Sequence, residues 1–120
     1  MKIVFTASAD TIQAPLDGRF GRAPKFLVYD LEDDTFEMAS NQESLDAAQG
    51  AGIHSAEVVA RTGAKALVTG HCGPKAFRAL AAAGIKVFST DAPTVADALQ
   101  RYRAGDLTEI ASADVEGHRA

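Results

Sequence analysis

Apolar residues fall in short bursts along this chain, and the period within each burst predicts an element. Lys2 to Ala7 is a brief apolar, β-branched run that stops at Ser8, Ala9 and Asp10, the pattern of a buried first strand. Thr11 to Pro24 then carries two prolines, two glycines and three charged residues with no period, and is predicted as a long loop. Lys25 to Leu31 and Thr35 to Ala39 are strand-like runs joined by the acidic spacer Glu32, Asp33 and Asp34, which predicts a hairpin. A second polar loop follows from Asn41 to Gly50.

Beyond that loop apolar residues recur at spacings of three and four. Gly52 to Thr62 sets Ile53, Ala56, Val59 and Ala60 on one helical stripe, with Gly63 as a left-handed stop. Lys65 to Thr69 reads as a fourth strand, and Pro74 to Ala83 as a helix closed by Gly84, with proline suited to the first helical position. Ile85 to Ser89 is the fifth strand, and Thr90 to Ala104 the last helix, with Asp91 as N-cap and Gly105 as stop. Right-handed crossovers make strands one, four and five parallel, set strand two antiparallel beside strand one, and leave strand three at the edge. The expected fold is therefore α/β: a five-stranded, ribonuclease-H-like mixed sheet of order 3-2-1-4-5 with three helices. The loops after strands one, three, four and five open on one edge, where open α/β sheets usually hold a ligand.

Composition narrows what such an edge could hold. A chain of 120 residues, 47% apolar and 23% charged, fits one domain with one core that folds without a disulfide or structural metal. Residues 1–110 are expected to form that domain, and 111–120, which loses apolar period, a loosely packed tail. A net charge of -4 argues against nucleic acid as a partner. Met1 to Thr6 is too short for the apolar region of a signal peptide, and no stretch has the length of a membrane span, so the expected location is cytoplasmic. Cys72 is the one cysteine, which rules out an intramolecular disulfide and a four-thiolate metal site.

Three glycine-bearing segments carry the candidate chemistry. In the first loop Arg19 and Arg22 are interleaved with Gly18 and Gly21, an arrangement that holds an anion through charge-assisted bonds or simply leaves two solvated arginines on a turn. Gly50, Ala51 and Gly52 precede a helix, whose free N–H groups attract anions, and His54 lies on its first turn. The segment is not a dinucleotide fingerprint, because Ser55 stands where a third glycine would be. Gly70, His71, Cys72, Gly73 and Pro74 link strand four to its helix, placing a thiol beside a histidine near a helix start. That setting suits a nucleophile or a soft metal ligand, and either Cys72 or His71 could reach a metal, but a small buried cysteine filling space is the competing reading. His118, in the tail, is expected to play no part.

Catalysis finds little support in these residues. A metal nuclease on this fold needs acids on strands one and four, where the sequence has Val4, Phe5, Thr6 and Thr69, Gly70, His71. His71 and Cys72 are adjacent in a turn, and no third group is evident to orient them as a dyad. A thiol enzyme and a cluster-free docking module remain the alternatives to an anion-binding protein.

Asp17 to Pro24, the Gly-Ala-Gly run at 50–52, and Thr69 to Phe77 followed by Ala82, Ala83, Gly84 and Ile85 resemble the nitrogenase iron-molybdenum cofactor biosynthesis accessory family over about residues 2–108. Thr6 to Ala9, Gln13 to Asp17 and the Gly-His-Cys-Gly-Pro run are similar to a branch of it from sulfate-reducing bacteria. That resemblance implies a non-enzymatic protein that holds an anionic molybdenum-copper-sulfide cluster noncovalently. The family at large implies a carrier or chaperone of the iron-molybdenum cofactor or its precursor, with protein partners left unidentified.

Overall fold

The computed structural model of the protein describes residues 1–42 and 50–110. The expected tail and His118, and most of the expected loop from Asn41 to Gly50, lie outside the described residues.

Among the described residues, six strands form one mixed sheet. They are β1 (Lys2–Ala7), β2 (Lys25–Asp30), β3 (Thr35–Ser40), β4 (Ala66–Thr69), β5 (Lys86–Ser89) and β6 (Thr108–Glu109), in the order 3-2-1-4-5-6. β1 runs antiparallel to β2 and parallel to β4, and β4 is parallel to β5, as the crossover rule requires. The expected five strands become six because β6 pairs antiparallel on the outer side of β5, matching Phe88 with Glu109 and Ser89 with Thr108. A two-residue exposed strand carries no apolar alternation, so its pairing leaves no periodic signal.

Side chains alternate between the two faces of the sheet. Val4, Phe26, Val28 and Leu67 point to one side and pack with Ala56 and Val59 of α1 (Ala51–Arg61) and Ala76 and Leu80 of α2 (Pro74–Ala82). Ile3, Phe5, Leu27, Tyr29 and Val68 point to the other, under Val95, Ala98 and Leu99 of α3 (Val95–Ala104). The single core expected from length is therefore two apolar layers divided by the sheet. Full burial of an aliphatic or aromatic side chain contributes roughly 1.5–3 kcal/mol, so both layers hold the sheet in place.

Two helix details differ from the sequence pattern. Ile53, expected on the buried stripe of α1, is 40% exposed, and Ala60 is exposed too, while Ser55 takes an inward position. α3 begins at Val95 rather than Thr90, because Thr94 is the N-cap and its hydroxyl accepts the Asp97 N–H at 3.1 Å. Residues before it are used to bind the long first loop: Leu16 N–H donates to Pro93 O, and Val95 N–H to Ala14 O. Asp91, expected to cap, instead accepts a bond from Arg101 at 2.9 Å.

The first loop crosses the edge of the sheet from one layer to the other. Ala14 is buried under α3, whereas Phe20 and Ala23 are buried beneath α1 and α2. Between them Thr6 anchors the crossing: its hydroxyl donates to Asp17 O at 2.8 Å, and its carbonyl accepts the Asp17 N–H at 2.9 Å. Phe20 to Arg22 forms one turn of 3-10 helix, with Phe20 stacked on Phe26 at 5.6 Å.

The far end of the sheet is braced by charge. Asp34, at φ 56° in the β2–β3 turn, accepts from Arg103 at 2.5 Å and from Tyr29 Oη at 3.2 Å. The hydrogen bond from Arg103, then that from Tyr29, then the charge of Arg103 hold the Asp34 carboxyl below the usual carboxylate range. A lowered folded-state pKa adds stability above the ordinary value, and that stability is lost as pH falls through the lowered one. Asp34→Asn keeps the shape and tolerates the left-handed backbone. Its melting temperature is expected to lie slightly below wild type at neutral pH, the gap beginning to close below about pH 3.9 and vanishing only once pH has passed through the lowered folded value; a gap that stays constant through that acid range would contradict this.

Candidate functional site

Two helix starts and the tip of the first loop meet at one edge. Gly50 precedes α1 in the left-handed conformation, φ 75°, which glycine adopts without strain and other residues rarely do. It offers no side-chain cap. The first α1 bond runs from His54 N to Gly50 O at 2.9 Å, so the N–H groups of Ala51, Gly52 and Ile53 have no intrahelical acceptor. α2 repeats the arrangement: Gly73 is its cap without a side chain, Pro74 has no N–H, and the first bond runs from Phe77 N to Gly73 O at 2.9 Å.

These two starts touch. A Cβ added to Gly52 would stand 3.1 Å from Ala76 Cβ, and one added to Gly21 would stand 3.4 Å from Gly52 N and Cα. Glycine at 21 and 52 thus lets the loop tip, α1 and α2 approach one another. A third contact fixes the loop to the segment between β4 and α2. Gly70 leaves no room for a side chain, since its Cβ would lie 2.7 Å from Gly18 O, and Phe20 N–H donates to His71 O at 3.0 Å.

The electrostatics of the two helix starts favour anions. Neither α1 nor α2 has an acidic residue in its first turn, whereas α3 has both Asp97 there and the Thr94 cap. Gly50, Ala51, Gly52, Ile53 and Lys75 line a cleft of about 440 Å³, and among the described residues no carboxylate lines it. Lys75 in the first turn of α2 opposes the helix dipole, which costs stability unless an anion shares the site. His54 is exposed on the first turn of α1. Arg19 and Arg22 are exposed on the 3-10 turn beside Gly52, and among the described residues neither is in an ion pair.

The remaining expected site residues face elsewhere. Gly70, His71 and Cys72 border a larger cleft of about 550 Å³ with Ser89, Thr90, Asp91, Arg101, Asp106 and the β6 segment. Size does not make it the better anion site. Asp91, Asp106 and Glu109 outnumber Arg101, whose guanidinium already donates to Asp91 at 2.9 Å and Thr90 at 3.2 Å. That bond and the charge of Arg101 hold the Asp91 carboxyl low, so it stays ionised. Cys72 is 3% exposed and packs in the same layer as Phe20, Phe26 and Ala76. Gly73 lines neither cleft; its place is the cap of α2.

Sequence reasoning missed Lys75 and Asn41. A lysine directly after the first-turn proline was legible as an unfavourable charge on a helix dipole, a signal for a missing anion. Asn41 gave no signal, because it sits in a polar run where burial is unexpected; it is 0% exposed. No three His, Cys, Asp or Glu side chains among the described residues are grouped to hold a metal ion. The donors present, exposed cations and free N–H groups, suit an anion.

Fold and edge together define a small α/β domain with paired helix starts and a glycine-arginine loop, and the chain belongs to the dinitrogenase iron-molybdenum cofactor family, whose model matches residues 1–105. Among solved structures it is similar to the apo form of the orange protein from Desulfovibrio gigas, with 42% identity, a TM-score of 0.90, and coverage of 92% of this chain and 93% of that one. It is also similar to a Thermotoga protein described as a NifB candidate of the DUF35 family, at 28% identity and a TM-score of 0.83, over 97% of this chain and 98% of that one. An uncharacterized protein of Methanocaldococcus jannaschii is 26% identical over 100 residues, covering 79% of this chain and 82% of the relative.

Proposed function

We propose that this protein binds and stores an anionic molybdenum-copper-sulfide cluster without catalysing a reaction. The observation that carries the reading is the contact between two uncapped helix starts, Gly52 against Ala76, beside a cleft whose lining among the described residues includes Lys75 and no carboxylate. A cluster that supplies its own sulfides needs no cysteine cage, only cations and N–H donors in a partly dry setting. In this reading the N–H groups at Gly52 and at the start of α2, with Gly50 and Gly73 as their caps, face the cluster. Arg19, Arg22 and Lys75 neutralise it, and His54 stands at the rim. The molybdenum and copper of this reading, and a sulfate-reducing host, rest on the resemblance of the Gly-His-Cys-Gly-Pro run to the branch of the family from sulfate-reducing bacteria.

A second reading, carrier or chaperone of the iron-molybdenum cofactor or a precursor, draws on the family's description. The same anion-binding edge would serve it. We read the sheet as ribonuclease-H-like with an added edge strand, residues 1–110 as the cluster-binding domain, and the location as cytoplasmic. No helix among the described residues is long and apolar enough to cross a membrane.

Cys72 lies in the apolar layer and Gly70, His71 and Cys72 border the acidic cleft, so in this reading they support the site rather than anchor the cluster. Apoprotein mixed with copper and tetrathiomolybdate is expected to give a coloured, protein-bound species. Cys72→Ser is expected to give it as well, with affinity within about tenfold of wild type, a difference of roughly 1.4 kcal/mol. A folded serine variant that stays colourless would make Cys72 a metal ligand and remove the electrostatic reading.

A further inference from the structure

Asn41 is the residue that follows β3, and its side chain is fully polar and fully buried, an arrangement that is costly unless every group is satisfied. Its amide Nδ2 donates to Ala23 O at 2.8 Å and to Ser55 Oγ at 2.9 Å. Ser55 Oγ also lies 3.3 Å from Asn41 Oδ1, and the Asn41 main-chain N–H donates to Pro24 O at 2.9 Å. Ser55 is itself 0% exposed. Both amide protons of Asn41 are thus spent on tying together parts of the chain that are distant in sequence.

Those parts are the ones that build the anion edge. Ala23 caps the 3-10 turn that carries Arg22 and follows Arg19, and Ser55 lies three residues beyond Gly52 on α1. Residues three apart on a helix share a face, so a bond to Ser55 sets the same face of α1 that Gly52 presents. An apolar pair at 41 and 55 would fill the space at lower desolvation cost, but apolar contact is non-directional and lets neighbours slide. Hydrogen bonds fix distance and angle. We propose that Asn41, acting through Ser55, is a positioning residue that holds the arginine-bearing turn in register with the start of α1. The inference rests on the reading of that edge as an anion site; neither residue touches the cargo.

The test uses the full chain with Asn41→Ala, and Ser55→Ala as a milder second variant should the first fail to fold. Uptake of copper plus tetrathiomolybdate is followed by visible absorbance, and amide hydrogen exchange is read separately at Arg22 and Ala23 and at Phe5 and Val68 in the sheet. The expected result is about tenfold weaker uptake, with faster exchange at Arg22 and Ala23 and unchanged exchange at Phe5 and Val68. Added to Arg19→Gln/Arg22→Gln, the same change is expected to cost much less than its tenfold, because the arginines whose place it sets are already gone and only the start of α1 is left to disturb. A full additive loss in that background would make Asn41 a general stability residue and overturn the proposal. Unchanged exchange at Arg22 and Ala23 would also overturn it. Should wild type take up no cluster, faster exchange at those two amides still upholds the clamp while the cargo reading falls.

Discussion

Gly70→Ala is expected to cost about 1–3 kcal/mol of folding free energy, the usual range for forcing an extra methyl into a packed position. The obstacle is main chain: the new Cβ would stand 2.7 Å from Gly18 O and 2.8 Å from Gly18 Cα. A side chain could rotate away, but here the first loop must move as a body. That movement pulls on the bond from Phe20 N–H to His71 O and, through Phe20, on the stack with Phe26. Because the same loop carries Arg19 and Arg22, cluster uptake is expected to fall along with stability. Urea unfolding measures the first effect and visible titration the second; a variant as stable as wild type would mean that the loop rests on Gly70 far less tightly than the contact requires.

Removing the positive charge of the edge is expected to have the largest effect on uptake. Arg19, Arg22 and Lys75 are exposed, so screening keeps each contribution near 1 kcal/mol rather than the 1.5–3 kcal/mol of a dry charged bond. About fivefold apiece gives roughly 100-fold for Arg19→Gln/Arg22→Gln/Lys75→Gln if the three act independently. The loss should shrink in high salt, where wild type also weakens. Lys86→Gln, an exposed lysine on β5, serves as the control and should leave uptake unchanged. Equal loss in the control would point to net charge, and no loss in the triple variant would move the site away from this edge.

Much of the architecture was legible because its signals are local. Short apolar, β-rich runs gave β1 and the β2–β3 hairpin, glycines marked the ends of α1 and α3, and the crossover rule set the order of the first five strands. What escaped depends on partners far away in sequence. β6 exists only through pairing with Phe88 and Ser89, and α3 starts late because Ala14 O and Pro93 O belong to contacts with the first loop. Ile53 fits the apolar period of α1 yet lies at the exposed helix start, beside Lys75, where the layer beneath has ended.

The candidate site was legible as a set of segments but not as a surface. Glycine spacing brought the first loop, the start of α1 and the β4–α2 segment to one edge, and close approaches at Gly21, Gly52 and Gly70 give that convergence its geometry. Side-chain direction was beyond the pattern. His71 and Cys72 border a cleft with Asp91, Asp106 and Glu109, whereas Gly50, Gly52 and Lys75 line another. Hydrogen-bond partners such as Asn41 and Ser55 appear only once the chain is folded.

Metal analysis of the protein purified from its native source, without added metal, tests the central claim most directly. The account predicts molybdenum and copper together in a coloured protein, released by high salt and leaving a folded chain. Molybdenum with iron would favour the cofactor-carrier reading, and colourless protein without molybdenum would contradict cluster binding itself.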